Sequence, residues 1–319
     1  MPLCPFRTML DIALDHGFAV GYFQAWNGDS LEAIVEAGEE LDSPLVIGFG
    51  GTPVNQDWFN SWGLESAAAL GAAAVKRTGV PASLILNETE TLEQCLRGIE
   101  LGFNVVMVDS SALPYRENLE VNKRLVAHAR PRGVAVEGEL GHLPTGESGG
   151  AVAGRAGDAG TSPDDRRGDS RVGSSLTDPE QAGEFVRETG IDALSVSVGN
   201  VHVLTKREAR VDLDLISLIR KKTGIPLVIH GGTGFPPSQV KEAIKRGVAK
   251  FNVGTVLKKV YYEGLKASIA RTDASQDMQL LVGSRETEDI TSEAKRRVKE
   301  KVKELIRLYG SEGKARLFR

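Results

Sequence analysis

The chain has 319 residues, 41% of them hydrophobic and 26% charged, with 39 basic against 43 acidic side chains. That balance describes a globular protein with a sizeable core, and it offers neither a basic stripe for nucleic acid nor a polybasic patch for a membrane. No apolar run approaches the ~20 residues that span a bilayer, and the opening MPLCPFRTML lacks a signal-peptide apolar core, so a cytoplasmic protein is expected.

Short apolar runs alternate with helical patterns along the whole chain. Strands are predicted at Phe18–Phe23, Leu45–Gly50, Ser83–Leu86, Asn104–Val108, Val134–Glu137, Ala193–Val198, Pro226–Ile229 and Lys250–Val253. Between them lie amphipathic segments such as SLEAIVEAGEEL, TLEQCLRGIELG and PPSQVKEAIKRG, several ending in the glycine that commonly caps a helix. Strand–helix alternation argues for parallel βαβ units. Eight units suggest a closed (β/α)8 barrel, the TIM barrel, as a single domain over 1–319, with a doubly wound sheet as the alternative. Cys4 and Cys95 are far apart without metal-type spacing and read as free thiols. Residues 142–175 are rich in Gly, Ser, Asp and Arg with little apolar content. Such a segment cannot build its own core; following strand five, it is expected to be a flexible loop, and a lid is favoured over a solvated insertion. The tail TSEAKRRVKEKVKELIRLYGSEGKA reads as an amphipathic helix that packs on the barrel or a partner subunit, with a solvated charged face.

In a barrel each strand delivers its polar residues to the C-terminal face. Here strand three ends in Asn87-Glu88 and strand four in Asp109-Ser110-Ser111. Strand five carries Glu137 and Glu139, and strand six leads to His202. Strand seven ends in His230-Gly231-Gly232-Thr233-Gly234, and strand eight in Asn252-Val253-Gly254-Thr255. Six such ends in succession make a site signal. The turns after strands seven and eight suit a phosphate, because glycines bring backbone N–H groups close to an anion and the threonine hydroxyls add donors; Lys206 adds a point charge. Two imidazoles, His202 and His230, with a carboxylate nearby suit Zn2+ or another divalent cation. His16, His128 and His142 read as structural. Trp26 reads as packing at a loop base, while Trp58 and Trp62 are left open between the barrel mouth and a subunit contact.

The strings FNVVMVDSSALPYREN, VEGELG, VGNVHVLTK, VIHGGTGFPPSQVKEAIKRGVAKFNVGT and LYGSEGKA resemble the class II, metal-dependent fructose-bisphosphate and tagatose-bisphosphate aldolases. The resemblance implies a (β/α)8 barrel, a homodimer or homotetramer, and a Zn2+ ion held by three histidines. It implies a lyase acting on a phosphorylated ketose in carbohydrate metabolism such as glycolysis, through an enediolate stabilised by the metal. It assigns His202 and His230 to metal ligation, Asp109 and Glu139 to an alternative metal location, and Glu147 to proton transfer. It assigns Gly231, Gly232, Thr233, Asn252, Gly254, Thr255 and Lys206 to the phosphate and the ketose hydroxyls. The sequence departs from the family at strand three. Where the family reads LHLDHG, with a catalytic Asp followed by a ligand His, this chain has Asn87 and Glu88. Leu14–Gly17 does read LDHG, but it precedes strand one and is a decoy. Glu88, His202 and His230 then form a two-His, one-carboxylate set that suits Zn2+ and also Fe2+ or Mn2+. Asn87 cannot shuttle a proton, although it can bind a hydroxyl. That departure leaves open an isomerase, epimerase or other condensation on the same scaffold, or a phosphosugar-binding protein without catalysis.

Overall fold

A computed structural model of the chain describes residues 3–52, 54–141, 176–200, 209–273 and 275–318. The predicted loop at 142–175, with His142 and Glu147, and the positions of His202 and Lys206 therefore lie outside the described residues. Eight parallel strands close into a barrel in chain order, as the alternation predicts. They are β1 (Val20–Ala25), β2 (Leu45–Gly50), β3 (Ala82–Thr89), β4 (Val105–Val108), β5 (Ala135–Leu140), β6 (Ala193–Val196), β7 (Leu227–Ile229) and β8 (Val248–Val253). A doubly wound sheet is excluded by the pairing of β1 with β8.

The helix α1 (Phe6–Asp15) precedes β1 and plugs the N-terminal end. Its Phe6, Met9, Leu10 and Ala13 are buried with Val20, Val46, Ile85, Val105, Ala135, Ala193 and Val228, the inward residues of seven strands. The LDHG string ends this helix, with His16 as C-cap and Gly17 at φ +68°, and takes no part in the opposite, C-terminal face. On the outer faces of the strands, Phe23, Ile47, Leu84, Val106, Leu194 and Phe251 form a second core beneath the helical layer.

Helices α2 (Gly28–Glu40) and α5 (Leu92–Glu100) begin at capping boxes, Asn27 with Ser30 and Thr91 with Gln94. Between them, α3 (Gln56–Trp58) runs through a π-turn into α4 (Leu64–Arg77). The ring continues with α6 (Tyr115–Ala129), α7 (Pro179–Thr189), α8 (Leu213–Thr223), α9 (Pro237–Lys245) and α10 (Thr255–Ile269); the short α11 (Met278–Leu281) precedes the tail helix α12 (Ser292–Tyr309). Trp26 packs edge-on against Tyr261 of α10, centroids 5.4 Å apart, whereas Trp58 and Trp62 are exposed. No helix among the described residues is long and apolar enough to cross a membrane.

The tail helix packs on the barrel as expected, but its charged face differs from the sequence reading. Lys295, Lys299 and Lys303 do not simply face water; they pair with Glu32, Glu36 and Glu40 of α2 in a ladder with one rung per turn. On its apolar side Tyr309 stacks on Phe251 of β8 at 4.7 Å. Gly264 lets α10 reach this helix, since a Cβ there would stand 2.5 Å from the Ala294 Cα. Alanine normally gains up to ~1 kcal/mol over glycine in a helix. Here the obstacle is backbone, which cannot swing aside, and overpacking of ~1–3 kcal/mol wins. Gly264→Ala is therefore expected to lower the midpoint of chemical denaturation, and an unchanged or raised midpoint would show that the two helices are free to move apart.

Candidate active site

Strand β3 runs three residues further than the sequence predicts, and its end is irregular. Leu86 pairs with Val106 and then Thr89 with Val108, so three steps on β3 oppose two on β4. This is a bulge. Within it Glu88 adopts φ +51°, a left-handed conformation that costs a residue with a side chain ~1–2 kcal/mol. The backbone around it is pinned: Gly51 N–H donates to the Asn87 carbonyl at 2.9 Å, Thr52 N–H to the Glu88 carbonyl at 2.8 Å, and Asp109 N–H to the Thr89 carbonyl at 2.8 Å. The consequence is stereochemical. Successive side chains of a regular strand face opposite ways, yet Asn87 and Glu88 both line the same cleft at the C-terminal end of the barrel.

His230, directly after β7, is fully buried between carboxylates. Its Nε2 lies 3.0 Å from Glu137 Oε1 and its Nδ1 2.8 Å from Glu88 Oε1, with Glu139 Oε1 4.0 Å from Nδ1. The second Glu137 oxygen accepts from Lys250 Nζ at 2.7 Å, and neither of these side chains is exposed. The Lys250 ammonium lies 5.1 Å from the ring centroid of Tyr22 and 5.8 Å from that of Phe6. Burial pulls the imidazole pKa down, but hydrogen bonds to Glu137 and Glu88 and the charge of Glu139 outweigh it and raise it to about 10. Burial alone would lift Glu137; Lys250 and His230 bring it below the usual carboxylate range. Glu139 is raised to about 8, first by burial and then by Glu88, Asp109 and Glu137, against the pull of His230.

Three carboxyl groups, Glu88, Glu137 and Glu139, face two cations, His230 and Lys250, so the cluster turns net negative once Glu139 or His230 gives up its proton, and a further cation would then balance it. Glu137 engages Nε2 and leaves Nδ1 beside the Glu88 oxygen, the arrangement in which a carboxylate orients a ligating histidine. Nδ1 of His230 and the Glu88 carboxylate are the groups that could hold a divalent ion here once the proton they share is lost. Among the described residues no three donors yet converge as a complete metal site. Glu88 and His230 stand close enough to offer two donors, and the expected third, His202, lies outside the described residues. Glu139 is buried near them, within 3.5 Å of Ser195 Oγ, whereas Asp109 is exposed, accepts from Ser111 and does not line the cleft.

The other wall is built from the two glycine turns. Gly231 takes φ +66° and leads into a short 3-10 turn, Gly232–Gly234. Gly232 is buried where a Cβ would stand 2.9 Å from the Asn252 carbonyl oxygen, so its absent side chain brings the β7 and β8 ends together. Helix α10 opens at Thr255 with Gly254 as its N-cap, and Gly231, Thr233, Asn252, Gly254 and Thr255 all line the cleft. A long helix whose first N–H groups face a cleft attracts an anion there. The sequence reading missed Tyr22 and Gln24 of β1, which complete the lining. It ended the first strand at Phe23, one residue short of Gln24, and an aromatic in a strand carries no sign that its hydroxyl faces a cavity. It also missed that Lys250 and Glu137 form a buried pair.

A family model described as fructose-bisphosphate aldolase class-II matches residues 5–314. A sulfofructosephosphate aldolase of Alkalicoccus urumqiensis is 33% identical over 312 residues, covering 98% of each chain. The crystal structure of the YdjI aldolase from Escherichia coli K12 superimposes with a TM-score of 0.76 at 27% identity, over 98% of this chain and 99% of that one. A putative fructose-1,6-biphosphate aldolase from Coccidioides immitis gives 0.76 at 28% identity, over 98% of both chains.

The buried cluster predicts a pH dependence for the protein after chelation. His230 is raised above its usual ~6.5, so its stabilising contribution is whole below that pH and is lost as the pH climbs towards about 10. Glu139 is raised to about 8, so the fold favours its protonated form and loses that advantage as pH rises from the ordinary carboxylate range through 8. Both act in one direction. The melting temperature of chelated protein is expected to fall steadily from pH 6 to 10, less steeply in Glu139→Gln and less steeply with added Zn2+, which replaces protons as the cluster's cation. A flat profile in chelated wild type would contradict the cluster's electrostatics.

Proposed function

The chain belongs to the class II fructose-bisphosphate aldolase family and is a lyase of the aldolase type, and from that premise we propose that it cleaves a phosphorylated ketose with a divalent cation held by Glu88, His230 and His202. The family generally depends on a divalent metal and acts on phosphorylated sugars. The observation that carries the proposal is the approach of Glu88 to His230 Nδ1 at 2.8 Å, beside two glycine turns and a helix N-terminus in one cleft.

In this reading the turn at Gly231–Gly234 and the start of α10, with Thr233 and Thr255, hold the phosphate, and Lys206 adds charge. Glu137 orients His230, and Lys250 keeps Glu137 ionised. The cation, Zn2+ by preference with Fe2+ or Mn2+ also suited to the donor set, supplies polarisation of the ketone oxygen when bound. Glu88 lends that centre a negative charge, so it draws electrons less strongly than one with three neutral imidazoles. Cleavage requires a proton to leave the hydroxyl on the carbon that becomes the aldehyde. The carbon–carbon bond then breaks, and its electron pair stays on the carbon next to the ketone, which is later protonated. The Asn87 amide cannot take that proton, but its Oδ1 can accept a hydrogen bond from the hydroxyl. Proton transfer falls to a carboxylate. Glu147 is assigned that role, and among the described residues lining the cleft Glu88 is the only carboxylate. A cytoplasmic homodimer or homotetramer built from a single barrel domain, with 142–175 as a lid, belongs to the same proposal.

Asn87 favours a second reading, in which the same carbanion chemistry serves isomerisation or epimerisation, or another acceptor. Loss of a general acid–base group costs ~10²–10⁴-fold in rate, so ordinary fructose-bisphosphate cleavage is expected to be slow. The test measures metal content of wild type, Glu88→Ala and His230→Ala, with product analysis on fructose bisphosphate, tagatose bisphosphate and the sulfofructosephosphate named for the relative. The proposal expects about one divalent ion per chain in wild type, its loss in both variants, and an aldehyde product trapped from at least one ketose. Isomerised ketose without aldehyde selects the second reading. Metal retained in Glu88→Ala with activity lost would move Glu88 from ligand to proton carrier, and wild type that takes up no metal on reconstitution would overturn the mechanism.

A further inference from the structure

We propose that the phenol of Tyr22 is a substrate contact, which with the Asn87 and Asn252 amides forms a neutral hydrogen-bonding surface for the hydroxyl-bearing carbons of the ligand, separate from the turns that hold its phosphate. The proposal rests on the reading of the cleft as a phosphorylated-ketose site. Tyr22 is 2% exposed, lines the cleft, and its hydroxyl has no hydrogen-bond partner among the described residues. The same is true of both amide atoms of Asn252, which is 8% exposed, and of Oδ1 of Asn87, at 2%. Tyr22 and Asn252 are register partners on the adjacent strands β1 and β8, so they stand at one level of the barrel.

Buried polar atoms are nearly always paired, and each that is not costs ~1–3 kcal/mol. Unpaired atoms from three side chains on one cleft wall are therefore nothing that stability alone selects. They are a surface kept for a ligand. Tyr22 cannot relieve itself by swinging away, because its ring is held against the buried Lys250 ammonium and flanked by barrel side chains.

The atom types name the ligand. The phenol donates or accepts, the Asn252 amide does both, and Asn87 Oδ1 only accepts. A phosphate or sulfonate presents acceptors alone and would be repelled by Asn87 Oδ1 and by the neighbouring Glu88. A hydroxyl both donates and accepts and matches all three. The surface thus selects the hydroxylated carbon chain of the sugar, and a site built to bond a hydroxyl discriminates strongly against the analogue lacking it.

The test titrates three probes into wild type and Tyr22→Phe by calorimetry: dihydroxyacetone phosphate, acetonyl phosphate (the same molecule with its free hydroxyl replaced by hydrogen), and inorganic phosphate. Tyr22→Phe is expected to weaken dihydroxyacetone phosphate by about 10-fold, the effect of one hydrogen bond. It should shrink the preference over acetonyl phosphate and leave inorganic phosphate unchanged. The ligand-free variant should melt no lower than wild type, because the ring remains over Lys250 and an unpaired hydroxyl is gone. Unchanged affinity for dihydroxyacetone phosphate in the variant, with wild type binding both phosphates, overturns the Tyr22 contact and leaves the phosphoketose reading standing. Equal loss of all three probes with a lower melting temperature makes Tyr22 a structural residue and overturns the contact as well. Wild type that binds neither dihydroxyacetone phosphate nor inorganic phosphate overturns the reading of the cleft and this proposal with it.

Discussion

The upper half of the barrel depends on one buried chain of charge, Lys250 to Glu137 to His230 to Glu88. Its first three members are fully buried. None could be ionised there alone, because each would forfeit hydration worth several kcal/mol. Together they hold one another in register across β5, β7 and β8. Removing one partner of such a set strands a charge, typically at 3–5 kcal/mol. The arrangement is therefore tolerant of concerted replacement and intolerant of single changes. The same chain fixes chemistry: Nε2 of the imidazole is committed to Glu137, so whatever is done in the cleft is done at Nδ1.

Glu88 is the one member of that chain reached through strain. A regular β3 would send residues 87 and 88 to opposite faces. The bulge and the left-handed φ turn both into the cleft, and three backbone hydrogen bonds from neighbouring strand ends keep them there. The cost of ~1–2 kcal/mol is small beside the electrostatic gain of placing a carboxylate against a buried imidazolium. It is also local to one edge, since β3 pairs with β2 in unbroken register from Ala82 to Asn87. The fold thus separates a lower half, plugged by α1 and apolar, from an upper half in which conformation is set by charge.

The barrel was legible because its signal is repeated. Eight apolar runs with helical patterns between them leave few topologies, and polar residues at successive strand ends point to one face. Positions 87 and 88 were legible as a departure from the family pattern, and the turns at Gly231 and Gly254 as a pair. The register of the strand ends was not legible. Whether Glu88 faces the cleft depends on a bulge that no local composition announces, and alternation alone would have turned it away. Tyr22 and Lys250 were hidden for a related reason. A tyrosine or a lysine inside a strand carries no sign of what it meets across the barrel, and only closure brings Lys250 against Glu137 and Tyr22 over Lys250. The tail's charges were read as solvated because their partners on α2 are some 260 residues away in the chain.

The substitution of Asn and Glu for an Asp–His pair need not be read as decay of a site. Decay would leave the surrounding cluster without purpose, and the buried pair Lys250–Glu137 would then be a liability that apolar residues could replace without loss. Here the pair still presents His230, the replaced residue still reaches Nδ1, and the strain that aims it is still supported by three hydrogen bonds. A carboxylate in place of an imidazole adds one negative charge beside Glu137 and Glu139, which would favour the proposed cation. An amide in place of a carboxylate removes a charge one residue away and leaves a neutral acceptor beside the neutral atoms of Tyr22 and Asn252. The two changes offset in net charge and divide the cleft into a charged region at Glu88 and His230, where the proposed cation would sit, and a neutral one at Asn87, Tyr22 and Asn252.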